Sequence, residues 1–166
     1  MVVRLVVLVV AAGLAYVVWD HGRTIDESHV HQYYERQLEA IRNFDDESLC
    51  SDIAEDFSSN VTTHVDGRST GKDVYDGEAM CRMSRDMTRS LSELSRQTNG
   101  LLTFDVSVDV RSINVAPGRR SATVEGITTV KMGDVLVSRS RGTERLSRSL
   151  WRVRTHGGEG QAWYYF

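Results

Sequence analysis

The chain has 166 residues, of which 40% are hydrophobic and 26% charged, with a formal net charge of −3. That balance excludes wholesale disorder. Residues 20–166 are long enough for one domain of common size and too short for two, and a single proline, Pro117, leaves no obvious linker.

The first nineteen residues, MVVRLVVLVVAAGLAYVVW, carry one charge, Arg4. A membrane-crossing helix needs roughly 20 apolar residues at about 1.5 Å each, and this stretch reaches about 28 Å. Arg4 near one end can extend to the headgroups, while Tyr16 and Trp19 sit where interfacial aromatic anchors are favoured. Residues 1–19 therefore read as a transmembrane signal-anchor with a cytoplasmic tip, and residues 20–27 as a juxtamembrane segment. Residues 28–166 then form an exported domain on the periplasmic side of the inner membrane. The rival is a cleavable signal ending at the small residues Gly13 and Ala15, but its product would begin with an exposed Tyr-Val-Val-Trp.

Beyond the anchor, TIDESHVHQYYERQLEAIRNF is an amphipathic helix with Val30, Tyr34, Leu38 and Ile41 on one face. DDESLCSDIAEDF begins a short second helix, with Asp45 as N-cap and Leu49, Ile53 and Phe57 as its inner stripe. NVTTHVDG alternates as a strand and ends in an Asp-Gly turn. Asp76 then caps a longer helix whose Met80, Met83, Met87, Leu91 and Leu94 form a core-facing stripe, stopped at Asn99-Gly100.

The remainder is strand-rich. Leu102, Phe104, Val106, Val108 and Val110 alternate with polar residues, which puts Asp105 and Asp109 outside. Ala122, Val124, Thr128 and Val130 continue the inner face. Trp151 and Val153 mark a further strand with Arg148, Arg152 and Arg154 opposite. HGGEG reads as a turn, and QAWYYF as the closing strand.

Cys50 and Cys81 are an even pair in a chain expected to be exported, which permits a disulfide; two buried free thiols are the alternative. Packing of the two helices that carry them could bring the thiols together.

Helices that precede a run of strands point to an α+β domain, a curved antiparallel sheet packed by three helices. The run RQLEAIRNFDDESLCSDIAEDFSSNVTTHVDG, the helix opening YDGEAM, and the late SLWRV and GQAWYYF segments resemble the nuclear transport factor 2-like, or SnoaL-like, superfamily. The resemblance spans roughly residues 28–166 and implies a cone with a pocket between helices and sheet. Some members of that superfamily are isomerases, cyclases or dehydratases, and many only bind partners. One N-terminal helix before such a domain also resembles the inner-membrane assembly component of type IV secretion systems and mycobacterial transporter-associated proteins.

Chemistry is sparsely marked. His64 and Asp66 share a strand face but lie on its solvated side. His29 and His31 diverge by roughly 200° on a helix and cannot share an ion. No nucleotide-binding glycine loop or nucleophile elbow is present. No metal, cofactor or catalytic residue is therefore expected.

Charge is segregated instead. Residues 20–78 hold fifteen acids against five bases, whereas residues 79–166 hold eight against fourteen. Arg139, Arg141, Arg148, Arg152 and Arg154 are the candidate interaction surface; Arg145 lies among them, and a solvated face paired with Asp105 and Asp109 is the plainer reading. The sequence thus points to a non-catalytic interaction or assembly module with protein partners or self-association, and not to nucleic acid. The alternative is a SnoaL-like enzyme, or a binder of small apolar ligands. An inward, desolvated acid or histidine in the pocket would favour that alternative.

Overall fold

Apolar periodicity and capping residues set the helices. The computed structural model describes residues 2–99 and 103–165, with side chains from residue 7 onward. Helix α1 (Val2–His21) is followed by α2 (Glu27–Arg42), in which the Asp26 carboxylate accepts from the His29 amide at 3.1 Å. The Ser28 hydroxyl and that amide hold the Asp26 carboxyl down at about 2. Asp45 caps α3 (Asp46–Ser51) and Asp76 caps α4 (Gly77–Gln97), both as the sequence predicts.

Six strands follow the order β2-β1-β6-β5-β4-β3: β1 (Ser58–Val65), β2 (Arg68–Asp76), β3 (Phe104–Val115), β4 (Ser121–Met132), β5 (Val135–Ser149) and β6 (Arg152–Tyr164). The sheet is mixed rather than wholly antiparallel, because β6 runs parallel to β1 while every other neighbouring pair is antiparallel. Strand β2 has no counterpart among the elements expected from sequence. It is an exposed, polar edge strand with no apolar alternation, and the Asp66-Gly67 turn folds it back on β1.

HGGEG is not a turn. It lies inside β6, where the register between Glu144 and Leu146 shifts and the strand bends over a bulge. Gly157 adopts φ +79°, and a Cβ there would meet the Ser58 carbonyl at 2.2 Å, so only glycine fits. The actual β5–β6 turn is Leu150-Trp151, both with positive φ.

The core lies between α2 and the base of the sheet, where Ile25, Val30, Tyr33, Ala122, Val124, Leu146 and Val153 pack together. Helix α4 rolls differently from its predicted stripe. Met83 and Met87 are exposed, Thr88 is buried, and Met80 and Ser84 turn toward the hollow of the sheet. Cys81 is bonded to Cys50, and this tether of α4 to α3 agrees with that roll.

Among the residues with described side chains, no helix is long and apolar enough to cross a membrane. Part of the expected span, residues 1–6, falls outside them, as do Gly100 of the expected helix stop and Leu102 of the expected strand. The segment after α1 is stitched to the domain: Ile25 N–H donates to the Arg119 carbonyl at 2.8 Å, and Trp151 N–H to the Gly22 carbonyl at 3.0 Å.

Candidate functional site: a carboxylate in the cone

Curvature of the sheet leaves a hollow of about 320 Å³ between α2, α3, α4 and the inner sheet face. Its floor is bare because Gly126, Gly142 and Gly160 lie opposite one another across β4, β5 and β6. At Gly142 an added Cβ would meet the Glu159 carbonyl at 2.5 Å, so this close backbone approach admits no side chain. Leu49, Ile53, Phe57, Val61, Met80 and Val108 make most of the wall apolar.

A carboxylate anchored by two phenols borders this space. Glu144 shares the inner parity of β5 with Leu146 and sits beside the bulge. Tyr34 donates its hydroxyl to Glu144 Oε2 at 2.6 Å, and Tyr33 donates to Oε1 at 3.3 Å. Burial, and then the nearby Glu144 charge, raise both tyrosines well above the ordinary phenol range, so both remain protonated donors. The two rings meet edge-on at 5.1 Å, which fixes the hydroxyls as a pair.

This site is absent from the candidates that the sequence suggests. Glu144 sits in TERLSRS, which looks like charged surface, yet its parity with Leu146 is a usable signal. The tyrosine partners are far away in the chain, and only the fold brings them to Glu144.

A second buried acid has a structural part. Asp52 is 1% exposed and accepts from Arg36, from Gln37 at 2.8 Å and from Arg152 at 2.6 Å. These bonds join α2, the end of α3 and β6, and they occupy both carboxylate oxygens.

The five candidate arginines do not form one surface. Arg148 is buried, donating to the His21 and Thr24 carbonyls at 3.3 and 3.0 Å, and Arg152 is taken by Asp52. The register shift after Glu144 and the turn at Leu150-Trp151 break the simple alternation that grouped them. Arg139, Arg141 and Arg154 stay exposed, with Arg141 paired to Glu125 at 2.6 Å. Arg139 and Arg154 make no ion pair among the described residues.

The histidines do not converge. His29 lies 2.7 Å from Asp26, His21 packs edge-on against Trp151, and His64 stacks flat on Trp163 at 5.3 Å. Asp66 is a residue of the β1–β2 turn and does not join His64. Among the described residues no three metal-ligating side chains come together.

Comparison with solved structures places this architecture. Aln2 from a Streptomyces species matches with a TM-score of 0.57 at 14% identity, covering 81% of this chain and 88% of that one. A nuclear transport factor 2-like protein of unknown function from Silicibacter pomeroyi matches at 0.51 and 11% identity, covering 81% and 93%. A candidate dehydratase of the nuclear transport factor 2-like family from Streptomyces avermitilis matches at 0.52 and 13% identity, covering 84% and 95%. No family model matches this chain, and no curated protein does. The fold is nuclear transport factor 2-like: a curved mixed sheet closed by helices into a cone.

Proposed function

We propose that this protein is a membrane-tethered, extracytoplasmic domain that binds a small, mainly apolar molecule in its cone. Glu144, facing a glycine-floored apolar hollow and braced by two tyrosine hydroxyls, is the observation that carries the reading. An apolar pocket of a few hundred Å³ with a few convergent polar groups is the usual form of a small-molecule site. The acceptors of Glu144 favour a ligand whose one polar end donates hydrogen bonds or carries positive charge.

The tether is supported by the nineteen-residue opening and by α1, whose Val7, Leu8, Val9, Val10, Leu14, Val17 and Val18 are all exposed. An apolar face of that extent calls for a lipid or protein cover. The disulfide suits an oxidising compartment outside the cytoplasm.

Binding of a neutral fluorescent apolar probe to the full chain in detergent tests the site. Alkylamines should displace it more tightly than alkanoic acids of equal length, and Glu144→Gln should remove about tenfold or more of that preference. Ser84→Trp, which fills the hollow from α4, should abolish probe binding. Binding indifferent to both substitutions would sink the reading.

A second reading, a non-catalytic interaction or assembly module, is favoured by exposed Arg139 and Arg154, which have no ion pair among the described residues. An acidic protein partner or a second copy's acidic helices would suit them. Photocrosslinking from position 139 in membranes would recover such a partner, and lysine at 139 and 154 should preserve the contact while glutamate abolishes it.

A further inference from the structure

Outside the cone, the bulge in β6 creates a second arrangement. Thr155 lies opposite Leu146 and Gly158 opposite Glu144, so His156 and Gly157 together oppose Arg145 alone. This irregularity re-aims His156. Its ring hydrogen-bonds to the Ser147 hydroxyl through Nε2 at 2.7 Å and to Asp56 Oδ1 through Nδ1 at 2.5 Å.

The Asp56 side chain is 66% exposed, but the backbone just before it is anchored. The loop that carries it runs along β6, with Ala54 N–H donating to the Thr155 carbonyl at 2.9 Å and Thr155 N–H to the Asp52 carbonyl at 2.8 Å. Arg145 reaches the other oxygen of Asp56 at 3.7 Å. His156 chiefly, and Arg145 further, hold the Asp56 carboxyl below the usual carboxylate range. Ser147 faces Arg154 across the β5–β6 ladder and Ser121 across β4–β5.

We propose that Ser147, His156 and Asp56 form a nucleophile, general base and positioning residue that hydrolyse small acyl esters bearing a negative charge. The hydroxyl, both imidazole nitrogens and the carboxylate stand in the order that activates a serine. Arg154 supplies a donor beside Ser147 for the developing oxyanion, and it favours an anionic substrate.

In the first step Ser147 Oγ bonds to the ester carbonyl carbon while its proton passes to His156 Nε2. The carbon–alkoxide bond then breaks, and His156 returns the proton to the leaving alcohol. Water, deprotonated by His156, attacks the acyl-serine carbonyl; the carbon–Oγ bond then breaks, His156 returns that proton to Ser147 Oγ, and the carboxylic acid leaves. Asp56 holds the Nδ1 proton and balances the imidazolium throughout. None of the three residues lines the cone, so this inference stands apart from ligand binding there.

The full chain in detergent, with its disulfide intact, should be labelled by a fluorophosphonate probe at Ser147, located by peptide mass spectrometry. It should cleave the p-nitrophenyl ester of succinic acid faster than p-nitrophenyl acetate. Ser147→Ala and His156→Gln should each lower turnover about a hundredfold or more, and Arg154→Gln should erase the preference for the anionic ester. Asp56→Asn should lower kcat more than it raises KM and move the acid limb of the pH–rate profile to lower pH. A Ser-His-Asp strut with a merely structural part would leave that profile in place. No label at Ser147 in folded protein, or turnover unchanged in Ser147→Ala, would overturn the proposal.

Discussion

Asp52 shows how much a single side chain can organise. Four donor groups, from α2 and β6, meet its two oxygens in a place almost closed to water. Replacing it with Asn removes the charge and turns one acceptor into a donor aimed at arginine or glutamine donors. Asp52→Asn should therefore cost about 3 kcal/mol, at the low end for a broken buried pair because Arg36 and Arg152 are 40% and 41% exposed and rehydrate. Equilibrium urea unfolding would measure it. Nothing in the local pattern marks this node. Asp52 looks like one of several acids on a short helix, and its partner Arg152 is a hundred residues away. Glu144 is the opposite case, since its parity is readable in β5 although its tyrosine partners are not.

Among the elements, α4 depends most on a covalent link. Its predicted methionine stripe is half in solvent, with Met83 and Met87 46% and 43% exposed, so hydrophobic burial alone holds it weakly. The Cys50–Cys81 bond closes a loop across 31 residues, which the chain-entropy relation values at about 3–4 kcal/mol. Changing both cysteines to Ser should lower unfolding stability by that order, read from denaturant midpoints. Amide exchange should quicken first in α4. The wild-type chain under reductant should match the double variant, and oxidised wild-type protein no more stable than either would contradict this. The helix caps at Asp45 and Asp76 are legible because capping is local. The roll of α4 is not, because its buried side is chosen by the hollow and by α3.

At the scale of the molecule, the end of the domain nearest α1 carries an exposed apolar turn. Leu150 and Trp151 are 74% and 53% exposed, with φ of +49° and +71°, which bulky residues seldom adopt. Gly22 and His21 contact Trp151, while Arg23 lies 4.3 Å over the Trp19 ring. If α1 is seated in lipid, this turn meets the interfacial zone where tryptophan is favoured. In liposome flotation the full chain should co-float and resist high-salt extraction. In a Trp19→Phe background, a Leu150→Asn, Trp151→Gly pair, which suits the same turn, should stay bound through α1 but lose the interfacial blue shift of tryptophan fluorescence that Trp151 gives. Full-length chain left in the soluble fraction would defeat the tether.

Local chemistry specifies the starts of α3 and α4, the alternation of β3, the Asp-Gly turn that ends β1 and the compatibility of the two cysteines. These follow from neighbours within a few residues, where capping, periodicity and turn chemistry operate. Resemblance to the nuclear transport factor 2-like superfamily carries the class of fold. Tertiary structure was needed to show that β6 runs parallel to β1, that HGGEG bends a strand instead of ending one, and that Arg148 and Arg152 turn inward. The Glu144–tyrosine and Ser147–His156–Asp56 arrangements belong with these. Each joins residues from separate elements, and the register and curvature that unite them arise only when the whole sheet closes over one core.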